Sequence, residues 1–272
     1  MSDRPTFGVE RHGVSRNEFV DPAVAADCLE ALKDYGVIVY RDAHIDDADL
    51  VSFSRLLGEV VVAPIGGLPE HPEVSPVTLD PTRSKLATYR RSTFFWHIDG
   101  AQDHVPQKMT LLVSREVADE GGDTEFASTY LAYEALPDHD KAEFAKVRVV
   151  HSMAATQLLV TPNPTPKERA GWDKVPTREH PLVWTRPDGR RSLLIGATAE
   201  KVIGCAPDEG KALLDRLLEW STRPQFVFRH QWRPGDLVMW DNTGLMHRAL
   251  PYDPTSRRLL HRTTLAGDLA VA

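Results

Sequence analysis

The stretch from residue 225 to residue 265 constrains the fold most, because it places four strand candidates in close succession. The candidates are residues 225–232, 237–240, 246–250 and 258–265, with a tight turn at Arg233-Pro234-Gly235-Asp236 between the first two. Short strands at this spacing are typical of a sandwich or jelly roll. We therefore expect a mostly β fold.

Capping residues and apolar side chains at helical spacing predict three helices flanking this β region. These helices run from Asp21-Pro22 to Gly36, from Asp46 or Asp47 to Gly58, and over about 208–220. Short strands are expected after the first two helices, at 37–40 and 60–63.

A chain of 272 residues with 42% hydrophobic side chains can bury a sizeable core. Without a convincing linker, we expect one domain over residues 1–272. Residues 161–181 are rich in Pro, Lys and Glu with little periodicity, so we expect an irregular segment there and a lid or an inert surface insertion around 153–181. The first residues resemble no signal peptide, and no window approaches the roughly 20 apolar residues of a membrane helix. This pattern predicts a cytoplasmic protein.

The formal net charge of -7 disfavours duplex DNA and anionic membranes as partners, because both demand a concentrated basic surface. We therefore expect a small-molecule partner, and the sequence leaves open whether the chain forms a homo-oligomer. Cys28 and Cys205 lie far apart without a CxxC spacing, which argues against a disulfide framework or a cysteine zinc site. Both are expected to be core thiols.

The triplet His-Ile-Asp occurs at residues 44–46 and again at 97–99, and about one copy is expected by chance among 11 histidines. Asp46 is well placed to cap the second helix, so we interpret His44 as a surface residue. The second copy ends an aromatic run that suits a strand, in which His97 and Asp99 would project to the same face. A divalent metal would offset the cost of burying that carboxylate, although a plain His-Asp hydrogen bond is the alternative.

A third metal ligand must come from elsewhere, and the best candidate is His247 in the strand-rich tail. Two histidines and one carboxylate occupy one side of an octahedral metal and leave three positions free, which suits Fe(II) oxygen chemistry. The same donors can also hold zinc with a nucleophilic water, as in a metal-dependent hydrolase. A non-catalytic jelly-roll binding protein is a further alternative.

Three groups of residues occur in order along the chain: FWHIDGAQD, then GGDTEFAS with YLAYEALP, then GDLVMWDNTGLMHRALPYDPTSRRLLHRTTLAGD. With them the chain resembles, over nearly its whole length, the taurine dioxygenase family of Fe(II)- and 2-oxoglutarate-dependent oxygenases, which includes the phenoxyalkanoate dioxygenases. The resemblance implies a double-stranded β-helix, the jelly roll of cupin-like proteins. It also implies oxidation of a small organic substrate, by default hydroxylation, with 2-oxoglutarate and molecular oxygen.

The resemblance further implies that His97, Asp99 and His247 ligate iron, while Thr124 and Arg258 hold the distal carboxylate of 2-oxoglutarate. An arginine suits that carboxylate because its planar fork donates two parallel charge-assisted hydrogen bonds. A zinc hydrolase or a binding module would give Thr124 and Arg258 no role.

Arg262 falls where some members of the family contact an anionic group of the substrate. If residues 258–265 form one strand, Arg258 and Arg262 project to the same face and need anions nearby. The alternative is a solvated basic edge strand. The other residues expected at the substrate are Thr93, Gly100, Ala63 and Gly66.

This sequence departs from the taurine-specific members at Ala63 and Gly66, which stand where those members have a His and a Tyr. A sulfonate would lose its main hydrogen-bond donors there, so we expect a substrate other than taurine. The loop suggests a roomier, apolar pocket for a hydrophobic molecule whose carboxylate could pair with Arg262. Asp99 disfavours halogenation, because the related halogenases replace this carboxylate by a small residue.

Overall fold

The computed structural model describes residues 7–62 and 65–271. Its helices are α1 Pro22–Tyr35, α2 Asp47–Leu57, α3 Thr129–Glu134, α4 Asp138–Phe144, α5 Met153–Val160, α6 Pro166–Trp172 and α7 Pro207–Ser221. Its strands are β1 Val9–Arg11, β2 Val37–Tyr40, β3 Ser75–Val77, β4 Met109–Glu116, β5 Thr124–Ser128, β6 Arg148–His151, β7 Arg178–Pro181, β8 Val183–Thr185, β9 Arg191–Leu193, β10 Ala199–Val202, β11 Val227–His230, β12 Leu237–Asp241, β13 Leu245–Ala249 and β14 Leu259–Leu265. Shorter 3₁₀ helices cover Arg16–Val20, Tyr89–Phe94 and Pro224–Phe226.

Two sheets face each other across the core of the molecule. The larger sheet has the strand order β1-β2-β12-β4-β14-β3, and the smaller sheet has the order β11-β5-β13. Neighbouring strands are antiparallel except for β1 and β2 at the edge of the larger sheet. This is the predicted mostly β jelly roll with flanking helices.

Alternation of side chains along β2 shows how the layers join. Val39 points between the two sheets, where it lies in one cluster with Trp240 of β12 and Phe126 of the smaller sheet. Ile38 points the other way, into the apolar cluster to which helices α1 and α2 contribute side chains. The larger sheet is therefore buried on both faces, and each such side chain contributes roughly 1.5–3 kcal/mol to folding.

The helices predicted near the N-terminus are confirmed. Asp21 accepts a hydrogen bond from the backbone of Ala23 at the start of α1, and Gly36 ends that helix with a φ of 70°. Asp46 caps α2 by accepting a hydrogen bond from the backbone of Asp49, and His44 is exposed. The first His-Ile-Asp triplet is therefore a helix cap, and the late helix is present as α7.

Two predicted strands are wrong in extent. In the strand predicted at 60–63, residues 60–62 form only a single bridge, from Val60 to Leu265, and Ala63 lies outside the described residues. The strand predicted at 225–232 shortens to β11, because a 3₁₀ helix occupies Pro224–Phe226. The other three tail strands agree with their predictions to within one residue at each end.

Residues 161–181 were expected to be irregular, but they contain α6 and β7. The capping box of Thr165 and Glu168 starts α6, a local signal that composition alone does not show. The prediction that both cysteines are core thiols is half right. Cys28 is buried with its sulfur 2.7 Å from the Tyr40 hydroxyl, whereas Cys205 is exposed at a bend before α7.

Across the two described ranges, every helix is too short or too polar to cross a membrane.

Candidate active site

His97, Asp99 and His247 converge at one end of the jelly roll. One ligand atom from each lies within 4.8 Å of the others, and no other such cluster occurs in residues 7–62 and 65–271. The Nε2 atoms of the two histidines flank the carboxylate, at 3.9 Å from Oδ1 for His97 and 3.8 Å from Oδ2 for His247. The three side chains are only 9–14% exposed.

The second His-Ile-Asp triplet reaches this position without forming the predicted strand. Tyr89–Phe94 is a 3₁₀ helix, and only His97 then pairs with β13, through backbone hydrogen bonds with His247 in both directions. Asp99 lies in the following turn, where Gly100 has a φ of 73°. A Cβ on Gly100 would also lie 2.8 Å from the Gln107 nitrogen, so this turn favours glycine.

One hydrogen bond fixes the orientation of the His97 ring. Its Nδ1 lies 2.8 Å from the carbonyl oxygen of Phe95, which can only accept a hydrogen bond. The neutral ring therefore carries its proton on Nδ1, and the lone pair of Nε2 points toward Asp99. Metal-bound histidines are commonly fixed in this way by a backbone carbonyl.

Burial and charge set the ionisation states of the three residues. Burial lowers the pKa of His97, and burial together with the nearby His97 lowers the pKa of His247 to about 3. For Asp99, burial alone would raise the pKa, but electrostatic interactions with His247, Arg262 and His97 and the Thr110 hydrogen bond outweigh it and lower the pKa. At neutral pH the site therefore offers two neutral imidazoles and one carboxylate, which are the protonation states that metal binding requires.

A chain of buried hydrogen bonds holds the carboxylate in place. The Thr110 hydroxyl donates to Asp99 Oδ2 at 2.8 Å, and Asn242 Nδ2 donates to that hydroxyl at 2.8 Å. Trp240 Nε1 in turn donates to Asn242 Oδ1 at 2.7 Å. Sequence reasoning missed these residues, although Trp240 and Asn242 stand in the same tail segment as His247.

A small pocket between the sheets adjoins the three residues, and we call it the inner pocket. It is lined by Val77, Arg90, Thr93, His97, Leu112, Thr124, Trp240, His247, Ala249, Arg258, Leu260 and Arg262. Arg258 and Arg262 thus reach the same space, as predicted from a strand over 258–265, although β14 begins at Leu259.

Arg258 is the most deeply buried cation that lines the inner pocket. Arg258 is 2% exposed, and its Nε and Nη2 both donate to the carbonyl of Gly122, at 3.2 and 2.9 Å. Its guanidinium lies 4.7 Å from the centre of the Tyr252 ring, and burial lowers its pKa. Thr124 accepts a hydrogen bond from Trp232 Nε1 at 2.9 Å, which leaves the proton of its hydroxyl available to an anion.

An open cleft lies on the other side of His97 and Asp99, and we call it the outer cleft. Its lining residues are Ile65, Leu86, Tyr89, Arg90, Ser92, Thr93, His97, Ile98, Asp99, Gly100, Gln102, Gln107, Met153, Thr156, Gln157, Thr198 and Arg262. Thr93, Gly100 and Arg262 were predicted at the substrate, and they lie here. Gly66 is not among the lining residues and packs against Leu86, while Ala63 is outside the described residues.

Sequence reasoning missed Arg90, which borders both spaces together with Arg262. It also missed the N-terminal part of α5, which supplies Met153, Thr156 and Gln157 to the outer cleft. Arginine in a polar stretch is normally exposed, so the segment YRRS carried no signal of burial.

The comparisons with known proteins agree with this geometry. The model of the family "Taurine catabolism dioxygenase TauD, TfdA family" matches residues 2–264. An (S)-phenoxypropionate/alpha-ketoglutarate-dioxygenase of Sphingobium herbicidovorans is 31% identical over 97% of this chain and 93% of its own length. An alpha-ketoglutarate-dependent 2,4-dichlorophenoxyacetate dioxygenase of a Burkholderia species is 30% identical over 97% of this chain and 92% of its own length.

A similar solved structure is that of AAD-2 in complex with Mn(II) and N-oxalylglycine. It superposes with a TM-score of 0.82 at 29% identity, covering 98% of this chain and 96% of that one.

Proposed function

The chain belongs to the TauD and TfdA family of dioxygenases, and on this premise we propose that His97, Asp99 and His247 hold its ferrous ion. It is a 2-oxoglutarate-dependent dioxygenase that acts on a small organic substrate. The observation that carries the assignment is the convergence of the three donor atoms within 4.8 Å. Two neutral imidazoles and one carboxylate suit Fe(II) and leave half of an octahedral coordination sphere free.

Iron bound at this site supplies oxygen activation, in which 2-oxoglutarate loses carbon dioxide, one oxygen atom enters succinate and the other oxidises the substrate. The protein's own residues supply position. Thr110 fixes the Asp99 carboxylate through its 2.8 Å hydrogen bond, and the Phe95 carbonyl fixes the orientation of the His97 ring. Such supporting hydrogen bonds commonly change metal affinity or activity by about 10–100-fold.

We assign the inner pocket to 2-oxoglutarate, with Arg258 and Thr124 at its distal carboxylate. Arg258 is a permanent cation buried among apolar and aromatic side chains, and such a group requires an anion or a strong acceptor nearby. The hydroxyl of Thr124 adds a neutral donor, since its oxygen accepts from Trp232 Nε1 and its proton stays free to donate. The inner pocket is also the space that borders both His97 and His247.

We assign the outer cleft to the substrate, and favour a hydrophobic molecule that carries a carboxylate. Ile65, Leu86, Ile98 and Met153 give the cleft apolar walls, while Arg262 supplies a cation beside the carboxylate of Asp99. The two relatives are named for phenoxypropionate and 2,4-dichlorophenoxyacetate, which fit this description. Taurine has no apolar body to fill such a cleft.

The region 153–181 is proposed to act as a lid, because its first helix, α5, borders the outer cleft through Met153, Thr156 and Gln157. Enzymes commonly close such a segment over the bound substrate and so exclude water from the reaction. A single domain over residues 1–272, a cytoplasmic location and the absence of nucleic-acid or membrane partners stay predictions from the sequence.

The hydrolase and binding-protein alternatives are not supported. A hydrolase needs a metal-bound water but no dicarboxylate clamp, and it would leave Arg258 buried without a role. The relatives named above are oxygenases over nearly the whole length of this chain.

The proposed function is tested by measuring succinate release in air with Fe(II) and 2-oxoglutarate. Hydrophobic carboxylates, beginning with phenoxyacetate and 2-phenoxypropanoate, are added one at a time, and product is identified by mass. We expect at least one acid to stimulate succinate release. Its product should carry one additional oxygen atom, or should be a fragment formed when that hydroxylated product breaks down. Hydrolysis with Zn(II) and no succinate with Fe(II) would contradict the assignment.

A further inference from the structure

Arg90 is a buried cation that the proposed roles of the site do not use. It lies on the 3₁₀ helix Tyr89–Phe94, is 8% exposed, and borders both the inner pocket and the outer cleft. The other residues that border both spaces are Thr93, His97 and Arg262. Arg90 therefore stands at the passage between the cosubstrate and substrate spaces.

The hydrogen bonds of Arg90 leave most of its guanidinium without a partner. Its Nη2 donates to the backbone carbonyl of Pro76 at 3.3 Å, a long hydrogen bond. Its Nε is buried without a partner among residues 7–62 and 65–271, and no carboxylate in those ranges forms an ion pair with it. Burying a guanidinium whose Nε has no acceptor costs free energy, which argues against a purely structural role for Arg90.

The charges around Arg90 make an additional anion favourable. Burial and the nearby charge of Arg262 lower the pKa of Arg90 to about 9 against the opposing effect of the Asp99 carboxylate, so the side chain stays a cation at neutral pH. Arg262 already forms an ion pair with Asp99, since Arg262 Nη1 lies 3.6 Å from Asp99 Oδ1. If the proposed function holds, the two negative charges of 2-oxoglutarate are matched by iron and Arg258, and the passage keeps an excess of positive charge.

We propose that Arg90 and Arg262 together clamp an oxyanion of the substrate, and that Arg90 makes the enzyme select organic acids over neutral molecules of the same shape. The clamp would hold the charged end at the passage beside His97, with the apolar body against Leu86, Ile98 and Met153 in the outer cleft. Two guanidinium groups suit a carboxylate or a sulfate ester, since both present planar or trigonal arrays of oxygen acceptors. This inference rests on the proposed function.

The test measures binding in a complex that cannot turn over. Protein loaded with Mn(II) and N-oxalylglycine is titrated calorimetrically with benzoate, phenoxyacetate, 2-phenoxypropanoate and hexyl sulfate. Each carboxylate is compared with its amide, and hexyl sulfate with hexanol. We expect the wild type to bind at least one oxyanion about tenfold or more tightly than its neutral counterpart. A preference for the carboxylates or for hexyl sulfate identifies the oxyanion.

The variants separate a clamp from a structural role. Arg90→Met should lower the preference for the oxyanion by about tenfold, and Arg90→Lys should keep part of it because the charge is retained. Arg91→Met is the matched control, since it removes an exposed arginine from the same 3₁₀ helix, and it should bind like the wild type. Should Arg90→Met fail to fold in a thermal unfolding scan, Arg90→Lys still reports the loss of the forked geometry.

Three results would overturn the inference. The first is a wild type that binds every oxyanion no better than its neutral counterpart. The second is an Arg90→Met variant, or an Arg90→Lys variant where Met does not fold, with undiminished preference. The third is a variant whose main loss is in N-oxalylglycine affinity, which would assign Arg90 to the cosubstrate. A wild type unable to bind Mn(II) with N-oxalylglycine would refute the proposed function itself, and this inference with it.

Discussion

Arg258 and its neighbour Arg257 differ in burial although they are adjacent in sequence. Arg258 is 2% exposed in the inner pocket, and the side chain of Arg257 is 84% exposed beside Glu116. We expect Arg258→Ala to weaken 2-oxoglutarate binding by about 2–5 kcal/mol, because the distal carboxylate would lose a desolvated charged partner. Anaerobic calorimetric titration of the Mn(II)-loaded protein measures this loss.

Arg257→Ala is the matched control for that experiment. Exposed ion pairs contribute about 0–1 kcal/mol, and Arg257 borders neither the inner pocket nor the outer cleft, so cosubstrate affinity should stay unchanged. Equal affinities for Arg258→Ala and the wild type would remove Arg258 from the cosubstrate site.

Thr110 supports a second prediction at the scale of single residues. Thr110→Val removes the hydroxyl that donates to Asp99 while keeping the shape of the side chain, and we expect metal affinity to fall by about 10–100-fold. Competition with a chelator measures the affinity. Thr263→Val is the control, because it also loses a buried hydrogen bond, to Ser54, without touching Asp99. Similar metal affinities in the two variants would mean that Thr110 does not position the carboxylate.

Among the secondary-structure elements, helix α2 is linked to the larger sheet by the side chain of Asp47. Its carboxylate lies 2.6 Å from Nδ1 of His261 on β14 and 2.5 Å from Nη2 of Arg115 on β4. Burial alone would raise the pKa of Asp47, but the hydrogen bonds from His261 and Arg115 outweigh it and lower the pKa to about 2. Because the pKa in the folded state is depressed, the stabilisation is present above the unfolded value of about 3.9 and is lost as pH falls toward 2.

We therefore expect Asp47→Asn to lower the free energy of unfolding by about 2 kcal/mol at pH 7, with a smaller deficit at pH 3. Urea unfolding at both pH values tests this. The control is Asp173→Asn, because Asp173 follows α6 directly and forms an exposed ion pair with Arg169 of that helix. It should change the free energy of unfolding by less than about 1 kcal/mol. A deficit for Asp47→Asn that does not shrink on acidification would contradict the linkage.

The elements also show where sequence reasoning succeeds and where it fails. Helix α2 was predictable because its signals are local: Asp46 caps its first turn and Gly58 follows its last. The segment before His97 was predicted as a strand from its aromatic residues, yet it forms a 3₁₀ helix and one bridge. That bridge depends on His247, which is distant in the chain, and on Gly196, where a Cβ would lie 2.7 Å from the Trp96 oxygen. Such contacts leave no local pattern.

For the molecule as a whole, a sandwich or a jelly roll was predictable because closely spaced short strands can bury their apolar faces in few ways, and the family resemblance implied the jelly roll. The residues that converge between the sheets were less accessible to prediction. His97, Asp99, His247 and Arg258 were named because their residue types imply the chemistry and the resemblance implies the positions. Arg90 was missed because its burial arises only when the 3₁₀ helix packs beside β3 and β14.

An anaerobic titration with Fe(II) in the presence of 2-oxoglutarate, followed by visible absorption, tests directly whether His97, Asp99 and His247 form one iron site. We expect a weak metal-to-ligand band that saturates with a single iron per chain. The band should be lost in His97→Ala, Asp99→Ala and His247→Ala, because each variant removes one of the three converging donors. A wild-type protein without the band, or a His247→Ala variant that keeps the wild-type band and affinity, would contradict the claim that these side chains form one iron site.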